Sequence, residues 1–155
     1  IGDVYKRQGY IQSDKNQSRT MRLSHQHIAN IPLVGNVACG VPLLAEENVE
    51  AFVAYDADSL RGNPENYFFL RAIGDSMNKS GIDDGDLVLV RKSEIAEDGK
   101  RIVELVGDDA TVKKMVMTDG HWILRPESTN PKHKDLIMAG DFSVQGIVEN
   151  VVKTT

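Results

Sequence analysis

The chain is poor in the residues that build metal sites and disulfides. One cysteine, Cys39, and four histidines are spread over 155 residues. A lone thiol makes no internal disulfide and no cysteine-based zinc cluster, and the histidines fall at no metal-ligand spacing, so neither a metal nor a cofactor is expected. No apolar run approaches the roughly 18 residues that a membrane helix needs, and no charged-then-apolar leader opens the chain. A cytoplasmic location without membrane contact is the resulting expectation. Also missing are GxSxG, HExxH, GxGxxG and P-loop patterns, which removes the commoner hydrolase, metalloprotease and nucleotide-site signatures. No repeat of 20–50 residues is visible, so solenoids and propellers are set aside.

What remains suits one small globular domain with an appendage, since 41% of the residues are hydrophobic and 26% charged. The net charge of −5 hides an asymmetry. Residues 1–27 carry five Lys/Arg against two Asp, or +3, which leaves −8 for the rest. Only the first part favours nucleic acid; the acidic body repels phosphate. Within the basic part, the codons for Asp-Val-Tyr-Lys-Arg-Gln at residues 3–8 include a transposon end used in preparing DNA libraries. Residues 1–8 therefore read as a cloning or assembly scar, and the chain as a fragment. Gly9 to Leu23 reads as a hairpin around the polar turn Ser13-Asp14-Lys15-Asn16, with Lys15, Arg19 and Arg22 suited to backbone phosphates.

Ile31 to Leu44 contains no charge and one polar side chain, and is broken by two Pro and two Gly. This punctuation excludes a regular helix and disfavours a central strand. It predicts an extended segment that buries Val and Leu on the body's surface, or a peptide that enters a cleft. Beyond Glu46 the pattern turns β-rich. Apolar or alternating runs occur at Tyr67–Ile73, Leu87–Arg91, Arg101–Val106, Thr111–Met117, Trp122–Leu124 and Phe142–Val152, separated by Gly/Asp turns. Short strands with a turn about every ten residues predict a mainly-β sandwich- or barrel-like domain.

Chemistry is concentrated in few places. Ser76, in Gly74-Asp75-Ser76-Met77, follows an apolar run and a glycine, a setting in which its own amide and that of Asp75 can point together at a developing oxyanion. A serine needs a base. His25, His27, His121 and His133 lie in polar, turn-like sequence and read as solvated side chains. Lysine is the alternative: Lys113 and Lys114 occupy one strand and face opposite sides, and periodicity does not choose between them. A lysine accepts a proton only when neutral, and an unperturbed pKa of about 10.4 leaves less than roughly one molecule in a thousand competent at pH 7. Burial lowers that value, and such a site works best in alkali.

Pro32-Leu33-Val34-Gly35-Asn36-Val37-Ala38-Cys39-Gly40, then Gly74-Asp75-Ser76-Met77 with Gly81-Ile82-Asp83-Asp84-Gly85-Asp86, then Thr111-Val112-Lys113-Lys114 resemble the LexA repressor family in order and spacing. The resemblance implies a latent serine peptidase whose substrate is its own linker. Ser76 attacks, Lys113 takes its proton, and the scissile bond is Cys39-Gly40. It also implies that residues 9–27 are the wing end of a winged helix-turn-helix DNA-binding domain, 28–48 a linker with the cleavage segment, and 49–155 a Ser-Lys peptidase and dimerisation domain. The implied partners are a second copy in a homodimer, operator DNA, and the RecA filament on single-stranded DNA that triggers cleavage in the SOS response of the bacterial cytoplasm. Phe142–Val152 is where similar proteins pair across the dimer, although its Val/Ile content suits a core strand equally. One departure stands out. Ala-Gly is usual at the scissile bond, and Cys-Gly is more familiar from UmuD-type polymerase accessory proteins and some phage repressors of the same fold. Cys39 itself reads as a small apolar filler. Two further classes compete with self-cleavage: an enzyme for separate substrates, as in signal peptidases with a Ser-Lys dyad, and a regulator that retains the fold without cutting.

Overall fold

A computed structural model describes residues 27–38, 40–138 and 143–154. The expected scar, the hairpin of Gly9 to Leu23, His25 and Cys39 lie outside the described residues. Nine strands make one sheet: β1 Ile28–Val34, β2 Val49–Asp56, β3 Tyr67–Arg71, β4 Leu87–Lys92, β5 Arg101–Val106, β6 Asp109–Thr118, β7 His121–Arg125, β8 Leu136–Ile137 and β9 Ser143–Val152. Their spatial order is β2-β1-β3-β4-β9-β5-β6-β7-β8. The mainly-β expectation holds.

The central strands read as unbroken apolar runs because both of their faces are covered. Alternate residues of β3 and β4, Tyr67, Phe69, Leu87 and Leu89, join Ile31, Leu33, Val53 and Tyr55 in one cluster. Their neighbours Phe68, Leu70, Val88 and Val90 join Val34, Leu43, Met77, Ile82, Val103 and Val112 in another. Burying each large side chain stabilises the fold by about 1.5–3 kcal/mol. The second cluster fixes the site, because Met77 follows Ser76 and Val112 precedes Lys113.

Two expectations change. The Pro/Gly-rich segment was expected to avoid a central strand, yet Ile31–Val34 belongs to β1, which lies between β2 and β3. Pro32 is accommodated because β3 meets β1 only at Leu33 and Val34, so the ring sits where that second ladder has not begun. The strand β2 was not among the expected runs. Its inward residues Val49, Ala51, Val53 and Tyr55 alternate with Glu50 and the 63% exposed Phe52.

The strand β9 has the two-faced packing that suits a core strand, and dimer pairing along it remains an expectation. It lies between β4 and β5, and Val152 enters the first cluster. It pairs with β5 only over Ser143–Ile147, so one edge of Val148–Val152 has no strand partner among the described residues. Gly146 permits the close approach: a Cβ there would stand 2.5 Å from the Arg91 carbonyl oxygen.

Candidate active site

The strand β3 stops at Arg71 because the next backbone groups pair with a turn instead of a strand. The Ala72 amide donates to the Asp86 carbonyl at 2.8 Å, and the Gly85 amide to the Ala72 carbonyl at 2.8 Å. Gly74 then adopts φ +85°, a left-handed conformation that glycine takes without Cβ strain, and its amide donates to Asp84 Oδ1 at 2.7 Å. This turn lifts Ser76 to the surface while Met77 and Ile82 bury beneath it, 3% and 2% exposed. Neither the amide of Asp75 nor that of Ser76 donates to a backbone carbonyl outside the strands and helices.

Three sets of contacts brace the turn. The Glu127 amide donates to the Ser76 carbonyl at 2.9 Å, and Glu127 is held by Arg101 at 2.7 Å. Asp75 receives His133 Nε2 at 2.6 Å and Asn130 Nδ2 at 3.2 Å, while Ser128 Oγ donates to its carbonyl at 2.7 Å. The hydrogen bonds of His133 and, next, Asn130 hold the Asp75 carboxyl below its ordinary pKa. Lys153, just past β9, reaches the buried Asp86 carboxylate at 2.6 Å and Asp83 at 2.9 Å.

The strand β6 brings the expected base. Lys113 Nζ lies 3.4 Å from Ser76 Oγ, a long hydrogen bond of the kind that tightens when substrate closes a site. Burial pulls the Lys113 pKa below the usual lysine value, opposed by the carboxylates of Glu104 and Asp109. Lys114 alternates to the other side of the sheet and opposes Arg101 and Arg125 across the ladders. Of the two lysines left open by periodicity, only Lys113 reaches the serine.

Ser76, Lys113, Asp75 and His133 line a cleft of about 320 Å³, whose floor includes Leu70, Ile82 and Val112. A second groove shares Leu70, Arg71, Ile73, Asp109 and Ala110 with it, and its remaining lining includes Val34 to Val37, where the expected cleavage segment leaves β1. Gly40 stands exposed at φ +80° and does not line the cleft. The loop around it is tied to Asn48, 2% exposed. Asn48 Nδ2 donates to the carbonyls of Pro42 and Leu43 at 2.9 and 3.1 Å, and its Oδ1 accepts from the Ala38 amide at 3.0 Å.

His133 is the residue that sequence reasoning missed. It was read as solvated, but it is a partner of the residue next to the serine, 58 positions away. No local pattern announces that contact. The other described histidines are peripheral: His27 contacts the exposed Asp58, and His121 is exposed. Among the described residues no group of three His, Cys, Asp or Glu side chains could hold a metal ion, and no helix is long and apolar enough to cross a membrane.

Residues 32–149 match the family model described as Peptidase S24-like. The chain is similar to the LexA repressor of Leptospira interrogans, 37% identical over 139 residues that cover 84% of this chain and 67% of that one. It is 33% identical to the LexA repressor of Caldicellulosiruptor saccharolyticus over 154 residues, and 35% to that of Psychromonas ingrahamii over 157, each alignment covering 96% of this chain and 74% of the relative. The braced turn that carries Ser76 beside a half-buried lysine thus occurs in a chain that belongs to the Peptidase S24-like family, as a LexA-type protein.

Proposed function

We propose that the chain is the cleavage and dimerisation part of a repressor of the SOS response, which inactivates itself by cutting Cys39-Gly40. The observation that carries this reading is the 3.4 Å approach of Lys113 Nζ to Ser76 Oγ at a half-buried position, where burial lowers the lysine pKa. Neutral Lys113 takes the Ser76 proton as Oγ attacks the Cys39 carbonyl carbon. The amides of Asp75 and Ser76 stabilise the resulting oxyanion. Its collapse breaks the C–N bond, and the Gly40 nitrogen leaves with the proton from Lys113. Water then releases the acyl group from Ser76, with Lys113 again acting as base.

Supply of the substrate is intramolecular. Val37 already sits in the groove that adjoins the cleft. Three further residues reach Gly40, about 10 Å of extended chain, so a swing of the loop can carry the scissile bond to Ser76. Ile73, 84% exposed on the rim shared by groove and cleft, offers apolar surface to this uncharged segment. The rate then depends on the docked fraction and on the charge of Lys113, not on chain concentration. Docking is favoured by the RecA filament on single-stranded DNA. Cutting in the bacterial cytoplasm parts the operator-binding wing domain from the homodimerising body, and operator affinity falls with the lost bivalency.

Incubation near pH 10 without partners tests this. Fragments that end at Cys39 and begin at Gly40 are expected, at a fractional rate independent of dilution. Intact mass after hours, or continued cutting by Ser76→Ala or Lys113→Ala, would overturn the dyad.

A further inference from the structure

The Lys113 side of the sheet carries a buried carboxylate that the cleavage chemistry leaves unused. Glu104 sits in the apolar strand β5 and is 3% exposed. One of its oxygens accepts from Thr111 Oγ, while Oε2 has no hydrogen-bond partner among the described residues. Thr111 lies directly opposite Glu104 on β6, and Lys113 is two residues further along the same face. Diagonal neighbours of this kind stand about 7–8 Å apart at their Cα atoms, within range of long side chains. The pairing of β5 with β9 also slips between Val103 and Glu104, the sort of bulge that re-aims a side chain beside a site.

A buried, half-satisfied carboxylate is costly and calls for a compensating charge. The other ionisable groups around Lys113 are otherwise engaged or screened. Asp109, on its own strand, is exposed. Asp75 and His133, from the nucleophile turn and the segment above it, pair with each other. Glu127 is held by Arg101. Lys79 is exposed, and Lys114, Arg101 and Arg125 belong to the opposite face.

We propose that Glu104 is a positioning residue of the dyad, whose buried negative charge holds Lys113 in its ammonium form in the resting chain. The proposal rests on the self-cleaving reading above for its biological meaning: Glu104 restrains premature cutting, and the docked linker must overcome it by drying the cleft. Electrostatics agree with the placement. Of the influences that oppose the burial of Lys113, the Glu104 carboxylate is the largest, ahead of Asp109. Burial in turn pushes the Glu104 carboxyl up, against the Thr111 hydrogen bond and the Lys113 charge.

The test reads Lys113 directly. In the Ser76→Ala chain, which cannot cut itself, the lysine side-chain carbons are labelled and the Lys113 resonance, assigned by its loss in Lys113→Met, is titrated by NMR. Glu104→Gln keeps the shape and the acceptor for Thr111 but removes the charge, and the Lys113 midpoint is expected to fall by about one pH unit, as for a unit charge some 7 Å away in a partly buried site. Glu104→Asp, which keeps the charge, leaves the midpoint near that of the parent. Glu104→Leu carries the same expectation as Gln, so failure of one variant to fold leaves the other to decide. An unmoved or raised midpoint in the neutral variants overturns the proposal. With Ser76 restored, the same shift appears as about tenfold faster cutting at neutral pH. A wild-type chain that never cuts while the Lys113 midpoint still moves would sink the self-cleavage reading alone; cutting with a fixed midpoint would sink the Glu104 proposal alone.

Discussion

Lys113 reaches Ser76 across two halves of the sheet that share no direct ladder. The serine follows β3 in the β2-β1-β3-β4 half, the lysine lies on β6 in the β5-β6-β7-β8 half, and among the described strands β9 joins them by ladders, through β4 on one side and β5 on the other. The 3.4 Å approach therefore depends on the seating of β9 together with the contacts of Glu127, Ser128, Asn130 and His133 that brace the serine turn.

Gly146 is the tightest point of that seating. Its Cβ position falls 2.5 Å from both the Arg91 carbonyl and Val90 Cγ1, and the Arg91 backbone cannot yield cheaply. Gly146→Ala should cost about 1–3 kcal/mol by overpacking and reduce self-cleavage at pH 10 more than tenfold, although the residue is remote from the cleft. Denaturant unfolding beside a cleavage time course checks both. Unchanged cutting in a destabilised variant would show that the halves do not move together.

The pH dependence follows from the direction of the Lys113 shift. Burial lowers the folded-state pKa, so the competent neutral fraction rises with pH and levels off below the ordinary lysine value. Self-cleavage should climb about tenfold per pH unit from neutrality before it flattens. Lys113→Arg, which stays cationic, should cut at less than about a thousandth of the parent rate at every pH. Lys114→Ala should match the parent, because that side chain lies on the other face. Quantified gel bands over a pH series suffice.

Much of this was legible in the sequence, for reasons that show where such reading stops. Arg101–Val106 was expected and found with the same bounds, and Thr111–Met117 lies within Asp109–Thr118, because alternation and flanking Gly/Asp turns are local signals. Pro32 misled about β1 because whether a strand can tolerate proline depends on which neighbour pairs with that residue, and register is not local. The choice of Lys113 over Lys114 needed either the family resemblance or the cross-sheet approach to Ser76. Glu104 and His133 were invisible as site residues, since burial of the one and the 58-residue separation between the other and its partner are made by tertiary folding.

Asp75 makes an acid-side prediction. Its folded pKa is depressed, chiefly by the His133 hydrogen bond and then by Asn130, so its contribution to stability is present above the unfolded value near 3.8 and is lost as the pH falls through the lower folded value. His133→Ala should raise the Asp75 midpoint toward that of a free aspartate, as read from its carboxyl carbon resonance, and increase amide exchange at Glu127. An unmoved midpoint would show that the imidazole does not hold the carboxylate in solution.

Asn48 should matter to the loop that carries Gly40. Asn48→Ala removes three hydrogen bonds and leaves the Ala38 amide and the carbonyls of Pro42 and Leu43 without this partner, at a cost of about 1–3 kcal/mol. Added protease should nick residues 38–43 faster in that variant when tested on the Ser76→Ala chain, so that self-cutting does not confuse the reading. Equal nicking would mean that the loop is held by other contacts.

Lys153 tests the far end of the same bracing. Lys153→Ala withdraws the cation from the buried Asp86, whose Oδ2 also receives the Asp83 amide. Faster hydrogen exchange at Asp83 and slower self-cleavage are expected, and exchange unchanged from the parent would count against this brace.

With β9 laddered to β4 on the serine side and to β5 on the lysine side, the separation of Ser76 and Lys113 is tied in part to its register. Val148–Val151, paired with β4 along one edge and without a strand partner on the other among the described residues, lines a pocket with Ser80–Ile82, which closely follow Ser76 in the chain. A shift of that edge is expected to reach the Ser76–Lys113 approach, and with it any proton transfer between the two side chains.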